Sequence, residues 1–295
     1  LDEHDWLAGR FDENRSRLRA VAYRMLGSIS EADDAVQEAW LRLSRSDVDA
    51  IENLEGWLTT VVARVCLNVL HARSSRREEP FDAHVPDPIV SSERSVDPEE
   101  EVILADSVSL ALLVVLERLT PGERLAFVLH DMFDMPFEEI APIVGRTPSA
   151  ARQLASRARH RVKGGTPTPD ADVSRQREVV DAFLAAAHEG DFGALLEVLD
   201  PDVVLRADVG ALPLGASRVV RGASAVAEQA LAFRQLGSFA RPALVNGAPG
   251  FVAAPGGQPV SVLGFTVARG KIVEVDVLAD PERLRRLDLT ELDDG

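Results

Sequence analysis

Residues 120–163 read TPGERLAFVLHDMFDMPFEEIAPIVGRTPSAARQLASRARHRVK, and they contain three helix starts separated by two stops. Thr120-Pro121-Gly122-Glu123 places a cap residue, a proline at the first helical position and a glutamate three residues after the cap. That pattern predicts a helix running to about Met132. A second helix opens near Pro136 and stops at Gly145, and Thr147-Pro148 repeats the cap-plus-proline device to open a third that ends near Val162. Two helices joined by a short glycine-containing turn, the second rich in arginine, outline a helix-turn-helix. Pro142 removes a backbone hydrogen bond inside the supporting helix, so a kink or a short helix is expected there.

The third helix has two distinct faces. Ala151, Leu154, Ala155, Ala158 and Val162 recur at helical spacing and predict the inward side, small enough for close packing. Ser149, Arg152, Gln153, Ser156, Arg157 and His160 fall outward, with Arg146 just ahead of the helix. Arginine and glutamine can engage two atoms of a base edge at once, and serine can bond either base or phosphate. Arg159, Arg161 and Lys163, nearer the C-terminal end, suit phosphates. A solvated basic face is the plain alternative on helix pattern alone.

Charge sharpens the reading. The 295 residues carry a formal net charge of −16, which over the whole chain argues against nucleic acid. The distribution argues the other way: residues 146–163 hold five arginines, one lysine and no acid, whereas residues 78–106 hold ten acids against Arg94 alone. With 46% hydrophobic and 27% charged residues, the chain can build two or three packed cores.

Upstream, Phe11, Leu18, Val21, Ala22, Met25 and Leu26 form an apolar stripe that stops at Gly27. Ser30 with Asp33 predicts the N-cap of a helix carrying Ala32, Ala35, Val36, Ala39, Trp40 and Leu43 on one face. Trp57, Leu58, Val61, Val62, Val65 and Val69 predict another. Downstream of Gly164-Gly165-Thr166-Pro167-Thr168-Pro169, a flexible joint by composition, the pattern changes. Helices at about 174–189 and 191–199 precede a strand at Val203–Ala207 and a third helix after Gly222. Alternating segments follow at Ala243–Val245, Phe251–Ala254, Val260–Val267 and Ile272–Leu278. The expected organisation is a helical domain at 8–73, an acidic proline-containing linker at 74–106 and a helix-turn-helix domain at 107–163. A second linker at 164–173 leads to an α+β domain at 174–287 with helices on one face of a curved, mostly antiparallel sheet. The linker carries Pro80, Pro86, Pro88 and Pro98 with few apolar anchors, so no packed core is expected in it.

Taken together, the two helical stretches resemble the extracytoplasmic-function (ECF) sigma factors of RNA polymerase. The resemblance rests on DAVQEAWLRL at 34–43, WLTTVVAR at 57–64, Leu116–Leu119 with Ala126–Asp131, and ARQLASRAR at 151–159, and it covers roughly residues 8–163. It implies that Asp34, Gln37, Glu38 and Leu41 face the clamp of the largest subunit of core polymerase. It also implies that the loop at 45–55 and the following helix contact the minus-10 element of promoter DNA through Arg64, Asn68 and His71, with Arg73, Arg76 and Arg77 extending the basic track. The helix-turn-helix would read the minus-35 element through Arg146, Ser149, Arg152, Gln153, Ser156, Arg157 and His160. The arrangement further resembles the subgroup that carries a fused SnoaL-like cone, implying contact of that domain with the sigma core and modulation of activity in cis. In place of that subgroup's Trp-Leu-Pro-Glu-Pro-like linker motif stands His84-Val85-Pro86-Asp87-Pro88, and in place of its glycine-rich loop stands Asn246-Gly247-Ala248-Pro249-Gly250. A ligand-responsive helix-turn-helix regulator acting without polymerase is the alternative.

SnoaL-like cones include isomerases and cyclases, which need a general base and an oxyanion donor. Asp202, Asp208 and Asp276 are candidate bases, but the chain's one tyrosine is Tyr23, in the first domain, and His188 is the last domain's one histidine. A regulatory or ligand-sensing domain without turnover is expected, its small-molecule ligand unspecified. No cysteine–histidine spacing suggests a metal, no phosphate-binding loop suggests a nucleotide, and no cofactor is expected. The residues Leu1–Asp5 show no leader pattern and no apolar run reaches membrane-spanning length, predicting a cytoplasmic protein with no membrane partner.

Overall fold

The computed structural model describes residues 3–47, 51–76, 83–92, 108–165, 167–210 and 217–289. They divide into two compact units: Leu1–Pro80 with Val115–Gly165, and Phe81–Val114 with Thr166–Gly295.

The first unit is helical. Helix α1 (Glu3–Leu26) ends where Gly27 turns left-handed at φ 68°, its N–H reaching the Tyr23 carbonyl at 2.8 Å. Only Ser28 lies between that turn and α2 (Ile29–Leu43), so Ser28 is the N-cap and the expected Ser30 sits in the first helical turn. Helix α2 buries Ala32, Ala35, Val36, Ala39 and Leu43. Its Trp40 ring lies 5.1 Å from that of Phe11 on α1. Helix α3 (Leu54–Arg76) packs on both, with Leu58, Val62, Ala63 and Cys66 excluded from solvent.

Helix α4 (Leu110–Glu117), whose residues up to Val114 belong to the second unit, leads to α5 (Pro121–Phe127), whose capping box forms as its sequence specifies, and a π-helical turn extends it over Val128–Met132. Helix α6 (Phe137–Val144) is only eight residues long and keeps Pro142 inside, ending at left-handed Gly145. Helix α7 (Pro148–Gly165) starts at the Thr147 cap, whose Oγ1 accepts the Ala150 N–H at 3.3 Å. Ala151, Ala155 and Ala158 are fully buried, which lets α7 lie close on α5 and α6. Helix α5 also packs on α3, and Arg124 Nε donates to the Arg24 carbonyl at 3.0 Å. Both helical stretches therefore share one compact unit.

The second unit contains helices α8 (Val173–Glu189), α9 (Phe192–Val198), α10 (Ala223–Ala232), α11 (Arg234–Gly237) and α12 (Pro281–Leu284). Its strands are β1 (Val90–Ser91), β2 (Leu199–Asp208), β3 (Arg218–Arg221), β4 (Ala240–Val245), β5 (Ala248–Ala253), β6 (Ser261–Ala268) and β7 (Lys271–Leu278). They form one sheet in the order β1-β4-β5-β6-β7-β2-β3, antiparallel except for the β2–β7 pair. Asn246-Gly247 and Arg269-Gly270, all at positive φ, make the two tight hairpins. The core lies on the helix side, where Phe183 of α8 meets Phe265 at 5.5 Å and Phe265 meets Phe251 at 5.4 Å.

Two expectations need correction. The linker at 74–106 begins inside α3, and part of it is packed: Val85, Ile89 and Val90 are buried, and Val90–Ser91 adds strand β1 to the edge of β4. Its few apolar residues suffice because the sheet edge supplies the backbone partners. The joint expected at 164–169 begins with Gly164 and Gly165 still helical in α7. Residues 77–82 and 93–107, which carry most of the linker acids, lie outside the described residues.

Candidate nucleic-acid interface

Arg146, Ser149, Arg152, Gln153, Ser156, Arg157 and His160 line the outward side of the helix-turn-helix, the six on α7 opposite the buried alanines, and all seven are exposed. The Arg152 guanidinium lies over the Phe137 ring, 5.1 Å from its centroid, which restrains a side chain otherwise free to swing. Three other arginines are tied to acids of the supporting elements. Arg159 bonds Asp131, while Arg161 Nη1 lies 2.9 Å and Arg157 Nε 3.5 Å from the buried Glu123 carboxylate. That carboxylate also accepts from Thr120 N and Oγ1. Helix spacing predicts the exposed face; nothing local to α7 signals its pairing with α5.

On α3, Arg64, Asn68 and His71 share an exposed face as their spacing requires. Arg73 does not join them. Two residues beyond His71 the helix has turned about 200°, and Arg73 donates to the Leu26 carbonyl at 2.9 Å and pairs with Glu31, anchoring α3 to the α1–α2 corner. Arg76 ends α3, and Arg77 lies outside the described residues, as do residues 48–50 of the expected contact loop. On α2, Asp34, Gln37 and Leu41 are exposed, and half-buried Glu38 is held by Arg42 Nε at 2.8 Å. Leu41, 39% exposed, is an apolar side chain left in water within an acidic surface.

The two expected regulatory segments meet in the second unit. Asn246 Oδ1 accepts the Ile89 N–H at 3.1 Å, its own N–H bonds the Ile89 carbonyl at 2.8 Å, and Nδ2 donates to the Val108 carbonyl at 3.3 Å. One asparagine thus holds the chain on both sides of residues 93–107. Pro86 and Pro88 are buried beside Val85. Arg283 on α12 donates to Asp87 at 2.7 Å, Asp208 at 2.8 Å and the Val85 carbonyl at 2.6 Å. Asp208 also accepts from Val85 N–H at 3.2 Å and faces His84 Nδ1 at 2.9 Å. Burial would raise the Asp208 pKa, but the His84 bond and charge, the Val85 N–H and Arg283 outweigh it and hold the carboxyl at about 2. Gly247 is the exposed turn partner of Asn246, and Gly250 is buried where β5 runs against β6. The contribution of Arg283 has no sequence signature, since it lies nearly two hundred residues from Asp87.

Of the candidate bases, Asp202 is exposed at the start of β2, and Asp208 is engaged with the linker. Asp276 bonds buried Arg206 at 3.0 Å, whose other amino group meets Glu274 at 2.9 Å. Burial works against the Arg206 charge, but these two carboxylates raise its pKa beyond the ordinary arginine value. Asp276 also lines a cavity of about 20 Å³ with Gln176, Thr266, Ser109 and Leu110, room for roughly one water. Leu110 fills the space left by Gly264, approaching within 3.0 Å of where a β-carbon would stand. Among the described residues no group of three potential ligands could hold a metal ion, and no helix is long and apolar enough to cross a membrane.

Comparison with known proteins accounts for both helical stretches. Residues 10–78 match the family model for Sigma-70 region 2, and residues 109–162 match that for Sigma-70, region 4. The probable ECF RNA polymerase sigma factor SigI of Mycobacterium tuberculosis is 38% identical over 289 residues, 96% of this chain and 97% of that protein. The ECF RNA polymerase sigma factor SigJ of the same organism is 38% identical over 291 residues, 92% of this chain and 91% of that one. The crystal structure of SigJ covers 96% of this chain and 99% of its own with a TM-score of 0.78 at 36% identity, so the similarity extends through the C-terminal α+β domain. The chain belongs to the ECF sigma factors, which bind core RNA polymerase and promoter DNA and direct transcription initiation.

Proposed function

We propose that this sigma factor is modulated in cis by its α+β domain, which acts on the linker joining region 2 to region 4. The observation that carries the reading is the double grip on that linker: Asn246 holds Ile89 and Val108, and Arg283 holds Val85 and Asp87. A linker tied at both ends limits how far the two regions can separate; a freed linker does not. This domain resembles a SnoaL-like cone, and the nearly filled cavity supports a role in gripping its own chain rather than in turnover. Within the same proposal, Asp34, Gln37, Glu38 and Leu41 bind the clamp of the largest polymerase subunit. Arg64, Asn68 and His71, with Arg76 and Arg77, contact the minus-10 element, and the outward face of α7 with Arg146 reads the minus-35 element, in the cytoplasm where promoter DNA lies.

Run-off transcription with purified core polymerase tests the reading. Transcripts must require this chain, and Asn246→Ala must change their yield from the same promoter while core binding in a pull-down is kept. An unchanged yield refutes the cis role. Core binding undiminished by Glu38→Ala with Leu41→Ala refutes the surface assigned on α2.

A further inference from the structure

Helix α7 lies on its neighbours through three buried alanines and half-buried Leu154, which faces Gly122 of α5, a face of mostly small side chains that gives close approach and leaves much of the roll about the helix axis to polar contacts. The roll must nevertheless be set. At a side-chain radius of about 6 Å, a rotation of about 15° displaces contact atoms by about 1.6 Å. That exceeds the tolerance of roughly 0.5 Å within which a recognition constellation works. Two side chains one turn apart on the same stripe, gripped by one fixed point, would set the roll more firmly than the single Arg159–Asp131 pair does.

Such a point is present. The Glu123 side chain is 5% exposed and is itself immobilised by the α5 capping box, with Oε2 accepting from Thr120 N at 3.2 Å and Oγ1 at 2.9 Å. From there it meets Arg161 at 2.9 Å and Arg157 at 3.5 Å, residues four apart on α7 and in line with Gln153 one turn earlier. We propose that Glu123 is a positioning residue for promoter recognition: it fixes the roll of α7 and thereby aims Arg152, Gln153 and Arg157 at base edges. Arg157 then reads DNA from an anchored base rather than as a free surface cation, and Arg161 spends its charge on the protein as well as on phosphate. The inference rests on the proposed reading of α7 as the minus-35 reader.

The sign of one substitution separates this role from simple electrostatics. Glu123→Gln removes a negative charge beside the DNA-facing helix, so charge alone predicts tighter binding to every sequence. Positioning predicts weaker discrimination instead. With holoenzyme assembled from core polymerase and the full chain, the expected result is a roughly ten-fold fall in the ratio of binding to an intact versus a scrambled minus-35 element. Binding to the scrambled element should hold steady or rise. Thr120→Ala removes one of the two bonds that hold the Glu123 carboxylate but leaves the Thr120 N–H and the charge opposite both arginines, so it should lower the melting temperature and reduce the ratio clearly less than Glu123→Gln. Arg161→Ala combined with Glu123→Gln should reduce the ratio no further than Glu123→Gln alone. A Glu123→Gln ratio equal to wild type, or a Thr120→Ala loss as large as that of Glu123→Gln, overturns the proposal. A wild-type holoenzyme indifferent to the minus-35 sequence would instead overturn the reading of α7 on which it rests.

Discussion

Replacing Arg283 by alanine should release the linker at its His84–Pro88 end without unfolding the domain that holds it. The guanidinium is 17% exposed and makes three hydrogen bonds, two to carboxylates and one to the Val85 carbonyl. Bonds to charged groups contribute about 1.5–3 kcal/mol each, and removing one partner of a buried ion pair costs about 3–5 kcal/mol. Because Asp208 keeps His84 and the Val85 N–H, we take the lower end, about 3 kcal/mol, which at 1.36 kcal/mol per decade is a factor of roughly 160 in the docking equilibrium. Hydrogen–deuterium exchange reads this directly. Protection of the Val85 amide should fall by about two decades, that of Ile89 less because Asn246 still holds it, and that of β6 and β7 not at all. Arg283→Lys keeps the charge but not the fork, so it should fall between the two. Unchanged protection over residues 83–92 would refute the reasoning, and an equal loss across the whole sheet would make Arg283 a support of the domain instead of a hold on the linker.

The Asp208 carboxyl, held at about 2 against about 3.9 in an unfolded chain, contributes stability that is complete above about pH 4 and is lost as the pH falls towards 2. The amount is about 2 kcal/mol, so denaturant unfolding should find the gap between wild type and Asp208→Asn narrowing by most of that between pH 5 and pH 2.5; a gap independent of pH would contradict the assignment. Cys66 is fully buried, and burial pushes its thiol up to about 12. A thiol reagent at pH 8 should therefore modify it only as the helical unit unfolds, and rapid labelling in the native chain would show that α3 opens locally.

Much of this architecture is legible because it depends on short-range rules. The two cap-plus-proline signals and the Pro136 start with its Gly145 stop specify the three helices of residues 120–165 within a few residues, and period alone places Ala151, Ala155 and Ala158 inward. What escapes is long-range. Strand β1 is two residues of linker that become a strand only because β4 offers an unpaired edge, so no local propensity marks them. Strand β3, four residues with arginine at both ends, reads as loop until β2 is beside it. Nearness in sequence groups Arg73 with the basic track, whereas the turn of the helix carries it round to Glu31. Glu123 is legible as a cap and illegible as a hold on α7, since that second use depends on how two helices pack.

The bond from Arg124 to the Arg24 carbonyl has a consequence for distance. Arg24 is 3% exposed and Arg124 2%, and burial lowers the Arg24 pKa to about 10. Regions 2 and 4 thus meet inside a unit of about 130 residues, a body roughly 36 Å across. Elements named minus-10 and minus-35 lie about 25 base pairs apart, about 85 Å along B-form DNA at 3.4 Å per step. A span more than twice the diameter cannot be bridged without parting the two arginine-bearing helices. On the proposed assignments, this structure is therefore a stored form, and its promoter-bound form must be longer by about 50 Å, a difference that scattering or a fluorophore pair on α3 and α7 would measure as length.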